Sequence, residues 1–484
     1  MSFLLRAVLA ALAAAAVLGA CATQPATDEA VGEVAAVPEE PTEVEPQVPE
    51  PPISREEIVS QAYSSIGMLV SVGDAEEAIA AYEEAQLEQP DEPGTRILLA
   101  NLYMFAGRLQ EATEILDSIL EIEPANPDAL YARALIAGAE GESAVQRALL
   151  ERLVQSHPDH ADGYAALGEL YLEERDYDDA MEAFESSLQN DNENFVALIG
   201  LGNLHLREDR PEEAEEVLSK AIEISPNYAF AYSDRGKARA IQQELALAEE
   251  DMSTAIELEP AFSWNYYDRG RVRLERRRFK EAVSDFTTAI EIDPSVFMSY
   301  VYRARAFMGL DRYALALRDY ETALAMRPDY APGYGPIATL YVIDGRPGEA
   351  ATRFRRAFEE DTRRSWYALL TTLALREAGR DEEAQEFLED AVREFPRESL
   401  YYEMARFLFR PTYDAQIRQL IREEDNELLQ SQLYFYLGWQ YELNGNPASA
   451  RAAYSTALDV GDVGLAEVTL AEARLDALAE GAGR

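Results

Sequence analysis

Three cations stand at one spacing in the middle of this chain. Lys237, Arg271 and Arg305 are 34 residues apart and each follows an Arg-Gly or Arg-Ala pair. The surrounding segments are near copies: Asp234-Arg235-Gly236-Lys237-Ala238-Arg239, then Asp268-Arg269-Gly270-Arg271-Val272-Arg273, then Arg303-Ala304-Arg305. Phe230, Trp264 and Met298 lie a little upstream, with Tyr267 nearby. Residues 261–328 hold 12 Lys/Arg against 9 Asp/Glu, inside a chain whose 43 Lys+Arg face 90 Asp+Glu for a net charge of -47. Guanidinium and ammonium groups beside aromatic rings can seat an acidic peptide, a C-terminal carboxylate or an anionic glycan.

Other chemistry is sparse. The three histidines are His157, His160 and His205. His157 and His160 form H-x-x-H around Pro158, but that proline breaks the helical face a metal pair needs, and no cysteine or third histidine is near. They read as turn residues, and His205 as core packing or groove lining. The chain has no G-x-S-x-G, Walker A, dinucleotide-binding glycine pattern or EF-hand loop. With so many carboxylates, adjacent acidic pairs carry no information. The expectation is a protein that is not an enzyme, with no catalytic residue, cofactor or metal.

The elements that position the cations follow from a second, longer periodicity. Alanine recurs every 34 residues, at Ala78, Ala112, Ala180, Ala214, Ala248, Ala282, Ala316, Ala350 and Ala384. Four residues later comes a large side chain, from Tyr82 and Leu116 through Phe184, Phe286 and Tyr320 to Leu388. Proline closes most units (Pro90, Pro124, Pro158, Pro226, Pro260, Pro294, Pro328, Pro396), and a small residue such as Gly168, Gly202, Gly236 or Gly270 stands twelve before the alanine. Each unit reads as two helices with an apolar stripe apiece. Small residues let the two axes approach, and proline sits where a helix must stop. One pair cannot bury its own stripe, so stacking is required.

This pattern resembles the tetratricopeptide repeat, illustrated by Leu201-Gly202, Ala214, Leu218, Ala221 and Pro226 in the fifth unit. The resemblance runs from about residue 55 to 460 and implies an all-α, right-handed superhelical solenoid of about twelve helix pairs. Regular repeats are expected over 55–396, and an irregular unit and a final repeat over 397–460. A capping helix and tail are expected over 461–484. Departures are Gln146 in place of alanine in repeat three, and the stretch around Pro411 and Ala415 to Leu429, where the phase is lost until Ala450.

In this family the first helix of each repeat lines a concave groove. The resemblance therefore implies that Lys237, Arg271 and Arg305 form a ladder along it, flanked by Phe230, Trp264, Met298 and Tyr267. Arg235 and Arg269 are expected to pair inside the solenoid, and Arg276-Arg277-Arg278 with Lys280 to be solvated at a turn. The Lys/Asn/Lys/Arg clamp of chaperone-binding members is absent: Asn101 and Asn203 occupy one such position without the lysines.

The first residues point to an envelope address. Arg6 precedes an apolar run from Ala7 to Ala20, too short to cross a bilayer comfortably and ending in Leu18-Gly19-Ala20-Cys21. This resembles the lipobox of bacterial lipoproteins, which implies a signal peptide over 1–21 and acyl chains on Cys21, the sole cysteine. Ala22 follows where an aspartate would resemble an inner-membrane retention signal, so an outer membrane facing the periplasm is expected. Residues 22–54, rich in Pro and Glu, read as a semi-stiff tether, roughly 100 Å long if fully extended. The acidic surface excludes a nucleic-acid partner. The sequence thus points to a membrane-anchored periplasmic scaffold that binds proteins or acidic peptides in its groove, in envelope assembly, secretion or cell-wall remodelling. The alternative is a wall- or carbohydrate-binding lipoprotein that stacks sugar on Trp264 and Tyr267.

Overall fold

The computed structural model describes residues 55–87, 92–410, 414–461 and 466–481. The signal peptide, Cys21, the tether, Pro90, Pro411 and Leu465 lie outside them. The described residues form 25 α-helices and no strand. None of these helices is long and apolar enough to cross a membrane.

The helices come in antiparallel pairs, as the 34-residue period requires. Every marker alanine is at most 1 % exposed, and the large residues four positions on are equally buried, including Phe184, Phe286 and Phe354. Each such burial contributes on the order of 1.5–3 kcal/mol. One example shows why small residues recur. A Cβ on either Gly168 or Gly200 would collide with the Phe184 ring, so one aromatic holds the first helices of two successive repeats. In repeat three, the bulk of Gln146 is met by Gly138, whose missing side chain leaves room for the amide. The turn inside each pair needs one left-handed residue. It falls on Gly73, Gly107 and Gly141, then on Arg175, Asp209, Gln243, Arg277 and Asp311, and again on Gly345 and Gly379.

Two compact units divide the chain at Pro226 and Asn227, where the sequence predicts unbroken repeats. The first holds repeats one to five, ending in Phe195–Arg207 and Pro211–Ile224. The second holds seven pairs. Repeat six is Ala229–Ile241 with Leu245–Leu258; repeat seven is Ser263–Glu275 with Phe279–Ile292; repeat eight is Phe297–Met308 with Tyr313–Met326. Repeat nine opens with a 3-10 turn over Ala331–Gly333, because Pro332 and Pro336 delay the helix Tyr334–Ile343. Repeat ten pairs Ser365–Glu377 with Asp381–Ala391.

The eleventh unit is irregular, and the stretch over 415–429, where the repeat phase is lost, is not one helix. It splits into Asp414–Arg422 and Glu427–Leu443, and Asn426 caps the latter by accepting a hydrogen bond from the Leu429 amide. The two helices of unit eleven, Leu400–Phe409 and Asp414–Arg422, are short, so the first helix of repeat twelve reaches past them to repeat ten. There the Trp439 indole donates to Glu377 Oε2 at 2.7 Å.

The last helix, Ala466–Gly481, does more than cap the end. It packs on both helices of repeat twelve and also on the first helix of repeat nine. Arg474, 8 % exposed, lies 4.1 Å from the Trp439 ring centroid and pairs with Glu442 at 3.1 Å and with Glu377. Glu467 is buried beside it and accepts from the Tyr436 hydroxyl at 2.6 Å and the Gln432 amide at 3.1 Å.

Candidate functional site

The cations of repeats six to eight fall into two rows. The inner row is Arg235, Arg269 and Arg303. Each crosses from the first to the second helix of its own repeat and grips the aspartate sixteen residues on. Arg235 Nε and Nη2 reach Asp251 at 3.0 and 2.8 Å; Arg269 reaches Asp285 at 3.2 and 2.8 Å; Arg303 reaches Asp319 at 2.7 and 2.9 Å. These bidentate pairs are fixed further by Arg239 on Asp251 and Arg273 on Asp285, both at 2.8 Å. The three aspartates are 3–5 % exposed, so the row belongs to the packed interior. The expectation for Arg235 and Arg269 holds, and Arg303 joins them.

The turn arginines depart from expectation. Arg276 and Arg278 are not simply solvated: both pair with Glu249 of the preceding repeat, which also takes Arg273 at 2.8 Å. Burial pushes the Glu249 carboxyl up. Its hydrogen bond with Arg273 and the charges of Arg273, Arg278 and Arg276 outweigh this and hold it below the usual range. Arg277 stays exposed at the left-handed turn position.

The outer row is Lys237, Arg271 and Arg305, and its three members differ. The Lys237 ammonium sits between Asp234 at 2.9 Å and Asp268 at 3.6 Å. Burial opposes its charge, and the two aspartates prevail and raise it. Arg271 lies 3.9 Å from Asp268 and is flanked by the rings of Tyr267 and Tyr302, at 5.8 and 5.6 Å. Asp268 itself is buried, which pushes its carboxyl up against the pull of Lys237 and Arg271. In repeat eight the position held by Asp234 and Asp268 is Tyr302. Arg305 therefore lies 5.1 Å from a ring centroid instead of beside a carboxylate, and it forms no ion pair among the described residues.

The expected aromatic flank is divided. Phe230 and Trp264 are exposed by 37 and 42 %, and Met298 is half-buried. Tyr267 is instead buried at 7 %, edge-on to Trp264, Phe286 and Tyr302, so it supports the surface and does not present a face of its own.

Beyond Arg305 the surface sinks into a cavity of about 780 Å³ that sequence reasoning missed. It is lined from repeats seven to ten, on both helices of repeats seven and eight, and from the C-terminal helix, among others by Arg305, Tyr313, Tyr320, Thr339, Trp366 and Tyr367. Asp311, Glu467 and Glu472 give it acidic edges. The replacement of aspartate by Tyr302 was the available signal. The return of the last helix to repeat nine had none.

The histidines lie elsewhere. His160 caps the helix Ala161–Glu174 by accepting from the Gly163 amide at 3.0 Å, and His157 Nε2 lies 2.7 Å from the Ala125 carbonyl. His205 is in the core, where burial lowers its basicity. The described residues contain no cluster of metal-ligating side chains.

Comparison with known proteins gives the repeat its name. The tetratricopeptide-repeat description matches residues 69–136, 106–170 and 171–234, and again 267–331. The chain is 36 % identical over 81 residues to cellulose synthase operon protein C of Pseudomonas fluorescens and 37 % identical over 73 residues to that of Xanthomonas axonopodis pv. citri. These matches cover 17 and 15 % of this chain but only 6 and 5 % of the length of those curated relatives. Among solved structures, a tetratricopeptide repeat protein from Parabacteroides merdae is 21 % identical with a TM-score of 0.36, covering 52 % of this chain and 98 % of its own. The segments 69–234 and 267–331 are thus tetratricopeptide repeats, and the described residues around them continue the same all-α pairing of helices.

Proposed function

We propose that this chain is a non-enzymatic scaffold, anchored in the cell envelope through acyl chains on Cys21 and facing the periplasm, that receives an acidic segment of a protein partner along the row Lys237, Arg271 and Arg305. The observation that carries this reading is the contrast between the two rows. The inner arginines are consumed by buried aspartates, whereas the outer cations are half-exposed and progressively less neutralised, with the exposed rings of Phe230 and Trp264 on the helices of the first two. Charge-assisted contacts from such a row give orientation and rim aromatics give area.

The test is cross-linking and affinity capture from intact cells. It compares the full chain with a Lys237→Glu, Arg271→Glu, Arg305→Glu variant shown to be folded by circular dichroism. A discrete partner captured only by the unmodified chain is the expected result; the same partner captured by both places the contact elsewhere. For the anchor, Cys21→Ser should move the protein to the soluble fraction with its helicity unchanged. Retention on membranes at low and high salt would exclude acylation there.

A wall- or carbohydrate-binding role is the second reading. It is favoured by the exposed Trp264 indole, braced edge-on by Tyr267 at 5.2 Å, and by the local similarity to a cellulose synthase operon protein. Retention on purified wall material, abolished by Trp264→Ala, would put it first.

A further inference from the structure

Tyrosine takes the large-residue position of the repeat at Tyr82, Tyr320 and Tyr454, and all three are at most 2 % exposed. A phenol in a packed repeat directs its hydroxyl either to a protein partner or to solvent. Tyr82 donates to the Thr95 carbonyl at 2.8 Å and Tyr454 to Glu442 Oε2 at 2.7 Å. Tyr320 has no hydrogen-bond partner among the described residues, and it lines the cavity beyond Arg305. Arg305 lines the same cavity, and it too has no carboxylate partner among the described residues. Two donors without a protein partner among the described residues, one of them charged, therefore line the same open cavity.

The rest of the cavity says what they would hold. Met308, Trp366, Tyr367 and Leu370 also line it, an apolar and aromatic body of wall. At about 780 Å³ the space is within the range of small-ligand sites. Its acidic edges are partly engaged: Asp311 accepts from the Tyr313 hydroxyl at 3.0 Å, and Glu467 from Tyr436 and Gln432. Glu472 adds another carboxylate, in a chain already at -47. A dianion such as a phosphate monoester would meet that field twice, whereas a monoanion matched to one guanidinium and one phenol would not.

We propose that this cavity binds an organic carboxylate with an apolar body, its oxygens held by the Arg305 guanidinium and the Tyr320 hydroxyl. The inference deepens the partner-binding reading and rests on it in part, because the carboxyl terminus of a partner chain is one source of such a group. A free amphipathic acid is the other.

Isothermal titration of the full chain with two pairs of probes tests this. N-acetyl-phenylalanine and its amide stand for a chain terminus; dodecanoate and dodecanol stand for a free amphipathic acid. At least one acid should bind and its neutral counterpart should be weaker by about tenfold, equivalent to about 1.4 kcal/mol. Arg305→Gln should lower that affinity by a similar factor. Tyr320→Phe removes only an oxygen from the core and should also weaken the acid while leaving the neutral probe unchanged. Whichever acid binds more tightly identifies the source. Equal binding of acid and neutral probe, no binding of either acid, or full affinity in Tyr320→Phe would each overturn the assignment. Should that happen while Lys237→Glu, Arg271→Glu still abolishes partner capture, the cavity proposal fails and the partner-binding reading stands. If the acids bind and no variant alters capture, the reverse holds.

Discussion

The inner and outer rows of repeats six to eight are two residues apart on the same helices, yet one is structure and the other is surface. Arg235, Arg269 and Arg303 each meet an aspartate on the neighbouring helix at bidentate distance, with that aspartate almost wholly buried. Lys237, Arg271 and Arg305 meet carboxylates only on their own face, and the last of them meets none among the described residues. Residue type and period are shared; what differs is whether an acid recurs at the right offset on a packed face. A repeated cation is therefore evidence of binding only where its period outlasts that of its acid.

The comparison can be broken most forcefully at Asp285. Asp285→Ala leaves Arg269 and Arg273 without their shared carboxylate, and should cost about 3–5 kcal/mol in urea unfolding of the full chain. A loss below about 1 kcal/mol would make the inner row equivalent to a surface pair. Next is Glu249→Gln, which removes the charge that joins Arg273, Arg276 and Arg278, at a cost of about 1–3 kcal/mol. Its pH dependence has a definite sign. The native carboxyl titrates below its ordinary value of 4.5, so its contribution is complete above 4.5 and is lost as pH falls through the depressed native value. Stability profiles of the parent and Glu249→Gln should therefore be fully separated above 4.5 and converge as pH falls below it.

Tyr302→Asp sharpens the contrast from the other side. It restores to repeat eight the acid found at Asp234 and Asp268, and should lower the affinity for a carboxylate probe by about tenfold, or about 1.4 kcal/mol, in titration calorimetry. Lys237→Ala leaves the buried Asp234 and Asp268 without that ammonium and should cost about 1–3 kcal/mol in urea unfolding.

Much of this was legible in the residues. The 34-residue spacing of alanine and large residue predicts the helix pairs of repeats one, two and four to ten, because the same close approaches must be made in each of them. The aspartates at 251, 285 and 319 repeat with the same period, so the inner row could have been paired from sequence. The bridging role of Glu249 could not: it serves one residue 24 positions away and two others across a turn, and no period links them. The cavity was hidden for the same reason. Its wall draws on four repeats and on a helix whose return to repeat nine depends on how short unit eleven is. The proline pair Pro332 and Pro336 is plain in the sequence, whereas the shortening of the helix to Tyr334–Ile343 depends on where its first turn is placed.

That returning helix changes how the second unit should come apart. In a plain stack of repeats each neighbour is lost separately, and melting proceeds by fraying from an end. Here Arg474 joins residues 97 positions distant, Glu377 in repeat ten, to the last helix, and Trp439 crosses from repeat twelve to the same carboxylate. Long-range closures of this sort slow folding and make the segments they enclose melt as one block. Repeats nine to twelve should thus exchange their amide hydrogens cooperatively, while repeats six to eight, joined mainly to their immediate neighbours, open one at a time.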